Sequence, residues 1–152
     1  MNRGSVAISC LVLSACAIAG GQAPTAQGGK AFDQAQALTG LRERIAGQAD
    51  RPAAEVFENI QLFKRVPAGK LLSIMEIGFA RSLGVDCTHC HVPDEWDKDD
   101  KPAKQIARDM WAMVQTINTE QLKKIRNLES ENPAVNCTTC HRGDKKPALN
   151  MP

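Results

Sequence analysis

Cys87-Thr88-His89-Cys90-His91 is the stretch that decides the fold, and it recurs as Cys137-Thr138-Thr139-Cys140-His141. Both copies read C-x-x-C-H, the attachment sequence of a covalently bound c-type haem. In such a site the two cysteine thiols add to the two vinyl groups of the porphyrin, and the adjoining histidine binds the iron. The sequence therefore predicts two covalent haems. The predicted anchors are Cys87, Cys90 and His91 for the first, and Cys137, Cys140 and His141 for the second.

Paired cysteines have three other common uses, and each leaves part of this pattern unexplained. Zinc sites built from two C-x-x-C pairs usually place the pairs about fifteen to twenty residues apart, and Cys90 and Cys137 lie much farther apart. A thioredoxin-like redox motif needs a βαβ context, and no strand pattern flanks either copy. Structural disulfides explain an even number of cysteines in an exported protein, but not the histidine after each second cysteine.

The composition is that of a soluble protein with little aromatic bulk. Of the 152 residues, 24% are charged and 43% are hydrophobic, and the formal net charge is +2. Aromatic residues make up only 4%, with no tyrosine, and two haems would supply apolar volume that the side chains lack. The charge gives no support to a nucleic-acid partner.

Residues 1–15 are predicted to be a lipoprotein signal peptide. Arg3 forms a short charged region, and residues 6–13 form an apolar stretch too short to span a bilayer. Leu13-Ser14-Ala15-Cys16 resembles the bacterial lipoprotein box, so Cys16 is the predicted lipidation site. Cleavage further on, near Ala19 or Ala23, is the alternative. Either route exports the protein, and an anchored protein would be a periplasmic, membrane-attached lipoprotein.

Residues 16–50 are predicted to form a lipid-anchored flexible tether. The segment is rich in Gly, Ala and Gln up to about Thr39, a composition typical of linkers. After it, Leu41 and Ile45 lie four residues apart and indicate only a weak, peripheral helix.

Residues 51–152 are predicted to form an all-α dihaem domain. Pro52 favours a helix start, with apolar residues at helical spacing up to Phe63. A second helix is predicted from Pro67 to Gly84, directly before the first motif. No strand pattern is present. The fold is thus expected to be two helix–turn–C-x-x-C-H units.

The helix before the second motif has the strongest pattern in the chain. Pro102 opens it, Asp99 or Asp100 is its predicted cap, and apolar residues continue to Ile117. Asn118 with Gln121 resembles a capping box, which predicts a further short helix over residues 119–128.

An iron bound by one histidine still has a sixth position. His89 is the only spare histidine, and between the cysteines of its own motif it is poorly placed to reach the far face of that haem. Methionine is the alternative ligand. Met75 lies in the helix before the first motif, and Met110 and Met113 lie in the matching helix before the second. Core filling is the ordinary role of a methionine on an apolar helix face, but this repeated placement favours ligation.

Several segments together resemble the cytochrome c subunit of the photosynthetic reaction centre, and especially its short dihaem relatives. They are Asn59-Ile60-Gln61, Val66-Pro67, Met75, residues 87–91, residues 110–118 and residues 137–143. The resemblance implies that each unit is a helix bearing the methionine ligand, a turn and then the haem motif. It also implies a lipoprotein anchor. The reaction-centre subunit carries four haems, whereas this chain has two motifs.

The resemblance selects Met75 and Met110 as iron ligands. Spacing to the helix-ending Asn118 in that family favours Met110 over Met113. Ala107 supports the same choice, since a small residue one turn before Met110 leaves room for a flat ring.

The expected function is periplasmic electron transfer by two His/Met-ligated haems. The expected partners are redox proteins, among them a membrane-bound reaction centre or another cytochrome complex. A haem enzyme, such as a peroxidase or a small-molecule reductase, and a haem-based redox sensor are the alternatives. An enzyme would need acid–base side chains over an open iron, and His89 is the only free histidine. A sensor would need an output domain.

The lipid anchor is tested by replacing its cysteine. Cys16→Ser should release the protein from membranes, because no thiol remains for acylation. The measurement is immunoblotting of membrane and soluble fractions, with Cys10→Ala as the matched control, since Cys10 leaves with the signal peptide. Retention of the Cys16→Ser protein on membranes would contradict the anchor.

Overall fold

The structure is a computed structural model that describes residues 1, 31–147 and 149. Residues 2–15 of the predicted signal peptide, the predicted lipidation site Cys16 and residues 17–30 of the predicted tether lie outside this part. The helices are α1 (Gln34–Arg44), α2 (Ala53–Val56), α3 (Ala68–Ser73), α4 (Pro102–Thr116) and α5 (Cys137–His141). Two π-helical segments, Ile74–Arg81 and Ile117–Gln121, continue α3 and α4, and two 3-10 turns cover Cys87–His89 and Leu122–Lys124.

The described residues contain no strand. Their only extended pairings are isolated bridges between Pro52 and Pro67 and between Val92 and Glu95. The predicted all-α fold class is therefore confirmed. Within the same residues, no helix combines the length and apolarity needed to cross a bilayer.

Helix α1 is part of the folded unit. Its Leu38, together with Ile45 directly after the helix, is buried against Ala68 and Leu72. Asp33 caps its start by accepting a hydrogen bond from the Gln36 backbone, in the manner of an N-cap residue. The part of the predicted tether from Gln34 to Ile45 thus packs on α3. The sequence pattern here is weak since only one narrow stripe of α1 is apolar.

The helix predicted over residues 52–63 is limited to α2. Phe57 is already extended, and the backbone amides of Ala53 and Ala54 donate to Val66 and Lys64 across the loop. Phe63 adopts a left-handed conformation with φ of 57°, which is uncommon for a bulky residue. Its ring centroid lies 4.6 Å from that of Trp111 and 6.3 Å from that of Phe79. This aromatic contact joins the loop to both methionine-bearing helices.

Helix α4 begins at Pro102 as predicted, but its expected cap is absent. Lys101 is the N-cap and no side chain caps the helix. Asp99 instead pairs with Lys104 and Arg108. A carboxylate that holds two cations from the next helix is not free to turn toward the helix amides.

The separate helix predicted over residues 119–128 is not present. The chain continues from α4 into the segment Ile117–Gln121 and stops after Lys124. Asn118 is not a cap: its side chain donates to the Val135 carbonyl at 2.9 Å and accepts from the Val135 amide at 2.8 Å. Asn118 therefore binds the backbone that leads into the second motif.

The two motifs meet at a junction formed by Ser82, Gly84, Thr138 and Gly143. The buried Ser82 hydroxyl lies 2.6 Å from the Thr138 hydroxyl, and the Gly143 amide donates to the Ser82 carbonyl at 2.9 Å. Gly84 has φ of +62°, and a Cβ built on it would lie 1.9 Å from the Gly143 oxygen. Only glycine permits this approach, so the helix before the first motif ends directly against the second motif.

The junction predicts that a single methyl group added at Gly84 lowers the stability of the protein strongly. Gly84→Ala should lower the free energy of unfolding by about 3 kcal/mol, because the Cβ both strains the backbone and overlaps a carbonyl oxygen. The measurement is urea unfolding of the holoprotein. Gly40→Ala in α1 is the control: its Cβ meets nothing within 4 Å, and alanine favours a helix interior by about 0.5–1 kcal/mol. Equal stability of Gly84→Ala and the native protein would contradict the junction.

Candidate functional site

The residue directly before each motif has a short polar side chain that caps the turn carrying the cysteines. The Asp86 carboxylate accepts a hydrogen bond from the Thr88 backbone amide at 2.8 Å. Hydrogen bonds from Thr88, first of all from its side chain, lower the pKa of the Asp86 carboxyl group. Asn136 accepts the Thr139 amide, and the Thr139 hydroxyl accepts the Asn136 amide, which completes a capping box. The local sequence thus winds each C-x-x-C-H segment into a turn that brings its two thiols to one side.

Both motif histidines make the same second hydrogen bond. His91 Nδ1 lies 2.8 Å from the Trp96 carbonyl oxygen, and His141 Nδ1 lies 2.9 Å from the Asp144 carbonyl oxygen. A carbonyl can only accept, so Nδ1 carries the hydrogen, and in the neutral ring Nε2 keeps its lone pair. Such a bond orients histidines that bind metals. Burial also lowers the pKa of His91, which favours the neutral, ligating form.

One cavity brings together the four predicted residues of the first site. Met75, Cys87, Cys90 and His91 all line it, and its empty volume is about 840 Å³, partly open to solvent. Most of its other walls are apolar: Leu62, Leu71, Phe79, Ala80, Leu83, Val85 and Ala107. A mostly apolar lining that also offers two thiols, an imidazole and a thioether fits a haem, which Cys87, Cys90, His91 and Met75 would hold.

Two cations from α4 form part of the polar wall of the cavity. Lys104 and Arg108 both line the cavity, and each side chain is only 11% exposed. Lys104 Nζ donates to the carbonyls of Trp96, Asp97 and Lys98 at 2.6–3.1 Å. Both cations share Asp99, and hydrogen bonds, first of all from Arg108, hold the pKa of that carboxyl well below its usual range.

The second motif is more open. Cys140 is exposed, and α5 packs against the segment Ile74–Arg81. Met110 is half-buried on α4, whereas Met113 is 44% exposed. The structure thus places His141 and Met110 on separate elements, α5 and α4.

The four motif cysteines are free thiols, so the disulfide alternative is not what the structure shows. Burial raises the pKa of Cys87, Cys90 and Cys137, which keeps these thiols protonated at neutral pH. Among residues 31–147, no three His, Cys, Asp or Glu side chains converge to hold a metal ion.

A helical fold that presents two capped C-x-x-C-H turns, each with an oriented histidine, defines a c-type cytochrome. The chain belongs to the photosynthetic reaction centre cytochrome C subunit family, which matches residues 21–150. The resemblance seen in the sequence is therefore confirmed. Membership of a cytochrome c family implies covalently bound haem c and a role in electron transfer.

Three curated relatives illustrate the family. The photosynthetic reaction center cytochrome c subunit of Thermochromatium tepidum is 31% identical over 96 residues, which is 62% of this chain and 22% of the relative. Cytochrome c-554 of Chloroflexus aurantiacus is 29% identical over 83 residues, 55% of this chain and 20% of the relative. The reaction center subunit of Rubrivivax gelatinosus is 30% identical over 121 residues, 70% of this chain and 31% of the relative. The chain thus spans less than a third of the length of each.

Sequence reasoning missed the residues that support the site. Asp86 and Asn136 carry a readable signal, since Asp and Asn directly before a helical turn are common caps. Trp96, Lys104 and Arg108 carry none, because their place on the cavity wall depends on how α4 packs.

The choice between Met110 and Met113 remains a prediction that substitution can test. Met110→Leu should halve the near-infrared sulfur-to-iron charge-transfer band of the oxidised protein and lower one midpoint potential, since leucine cannot ligate. Met113→Leu is the matched control on the same helix and should leave both unchanged. The reverse pattern would assign Met113 as the ligand.

Proposed function

We propose that this protein is a periplasmic electron carrier with two covalent c-type haems. The first haem would be attached through Cys87 and Cys90 and bound by His91 and Met75. The second would be attached through Cys137 and Cys140 and bound by His141 and Met110.

The observation that carries the proposal is the cavity at the first motif. Met75, twelve positions before Cys87, was selected from the sequence, and it lines the same cavity as Cys87, Cys90 and His91. Met75 thus lies beside the same space as the two thiols and the histidine, where a second iron ligand is needed. The free Nε2 of His91 completes a ligand set with one nitrogen and one sulfur.

An exposed apolar stripe on α4 supports a second haem. Ile106, Met110 and Met113 follow one another at helical spacing, and Ile106 and Met113 are 60% and 44% exposed. The apolar stripe of an amphipathic helix is normally buried against another apolar surface. A haem held by the second motif would be an apolar surface of the right kind to cover it.

When bound, haem supplies a one-electron iron couple, and methionine ligation raises its potential relative to a second histidine. The protein residues do the rest. The thiols would anchor the ring, the Nδ1 bonds hold His91 and His141 in orientation, and the apolar wall around Met75 would surround the ring with apolar side chains. With a side chain assigned to each face of each iron, no position is left for a substrate, which favours a carrier over an enzyme.

The proposed location and partners follow from the N-terminal segment and the relatives. A lipid on Cys16 would hold the protein at the periplasmic side of a membrane. Two relatives are reaction center subunits by name, so a photosynthetic reaction centre or another membrane redox complex is the proposed partner.

Covalent haem is tested by the mass of the intact chain. After acid–acetone extraction, the native protein should retain two haem masses, because thioether bonds survive where coordination does not. The double substitution Cys87→Ala with Cys90→Ala should retain one, and so should Cys137→Ala with Cys140→Ala. Loss of all colour on extraction, or a mass increment of zinc, would contradict the proposal.

A further inference from the structure

One buried polar atom near the first motif has no partner. Trp96 lines the cavity that holds Met75 and His91, and its Nε1 is buried without a hydrogen-bond partner among the described residues. Buried donors without partners are rare in native proteins and cost about 1–3 kcal/mol each. A group bound in the cavity that Trp96 lines would be able to supply the missing acceptor.

The charges on the same wall indicate that the acceptor is an anion. Lys104 and Arg108 are mostly buried there and share a single carboxylate, Asp99. Arg108 uses one N–H for Asp99 and one for Gln105, which leaves further donors of its five. Two buried cations against one acid leave an excess of positive charge that a further carboxylate would balance.

The other acids of the cavity do not supply this balance. Glu58 and Asp86 line it, but both are exposed. Asp86 is also occupied by Thr88 and stands directly before Cys87, at the end where the thiols meet the vinyl groups. The two propionates of a haem lie on the opposite edge of the ring from the vinyl groups.

We propose that Trp96 Nε1–H donates a hydrogen bond to a propionate carboxylate of the haem at the first motif. This inference rests on the proposed function, since it needs a haem there. Trp96 would then act at two points of the same site: its carbonyl orients His91, and its indole binds the edge of the ring. Because an N–H dipole beside a propionate offsets negative charge near the iron, it would raise the midpoint potential of this haem alone.

The test uses the only two tryptophans in the chain. Trp96→Phe keeps an aromatic ring and removes the N–H, and Trp111→Phe is the matched control on α4. Spectroelectrochemical titration of each holoprotein should show one midpoint potential lowered in Trp96→Phe, with a roughly threefold lower reduced-to-oxidised ratio at fixed potential. That ratio is a shift of about 30 mV at 59 mV per tenfold change. In Trp111→Phe the potential of the first haem should be unchanged.

A second measurement does not depend on how Trp96→Phe folds. In Trp111→Phe, Trp96 is the sole tryptophan, and the ultraviolet resonance Raman marker of indole N–H should report a hydrogen bond to a strong acceptor. A weakly bonded or free indole in that spectrum would overturn the proposal, and so would equal shifts of both potentials, or of neither, in Trp96→Phe. The intact mass distinguishes failure of this inference from failure of the proposed function. If the chain carries two haems and Trp96→Phe has no effect, only the Trp96 hydrogen bond is refuted. If the chain carries no haem at Cys87 and Cys90, the proposed function is refuted too.

Discussion

The hydrogen bond from each motif histidine to a backbone carbonyl is the interaction on which the site depends. A C-x-x-C-H turn alone places an imidazole near the thiols, but it does not decide which nitrogen faces the ring. The carbonyls of Trp96 and Asp144 make that choice for His91 and His141, since they can accept only from a protonated Nδ1. The residues after each motif thus orient the motif histidine, because the chain returns toward that histidine within a few residues.

The second constraint is that two such sites share one small helical unit. Ser82 and Gly84 end the helix of the first site directly against Thr138 and Gly143 of the second. Helix α4 contributes to both sites: Lys104 and Arg108 face the first cavity, while Met110 belongs to the ligand set proposed for the second. Because the sites have a helix and a junction in common, a substitution at one is expected to change the stability of the other, and the two haems are expected to bind as parts of one domain.

Sequence reasoning reached the elements that carry strong local signals and stopped where contacts are non-local. The C-x-x-C-H motifs, the helices before them and the all-α class follow from spacing and periodicity. Helix α1 was underestimated, because Leu38 and Ile45 form too narrow a stripe to stand out from a polar background. Asn118 was interpreted as a cap because it precedes Gln121 at the right spacing, whereas its true partner, Val135, is close only after folding. Trp96 gave no signal at all, since its carbonyl and its buried N–H acquire meaning only beside His91 and the cavity. The iron ligands themselves stay predictions of the sequence, supported by the cavity at Met75 and less directly by the stripe at Met110.

The central claim is that both irons have a protein ligand on each face, and the spin state of the oxidised protein tests it most directly. Low-temperature electron paramagnetic resonance of the fully ferric holoprotein, with and without added cyanide, measures whether any iron has an open position. The account predicts two low-spin haems of equal intensity and no rapid change on addition of cyanide. A high-spin signal from one haem that converts rapidly with cyanide would contradict the account and would favour a haem enzyme or a sensor instead.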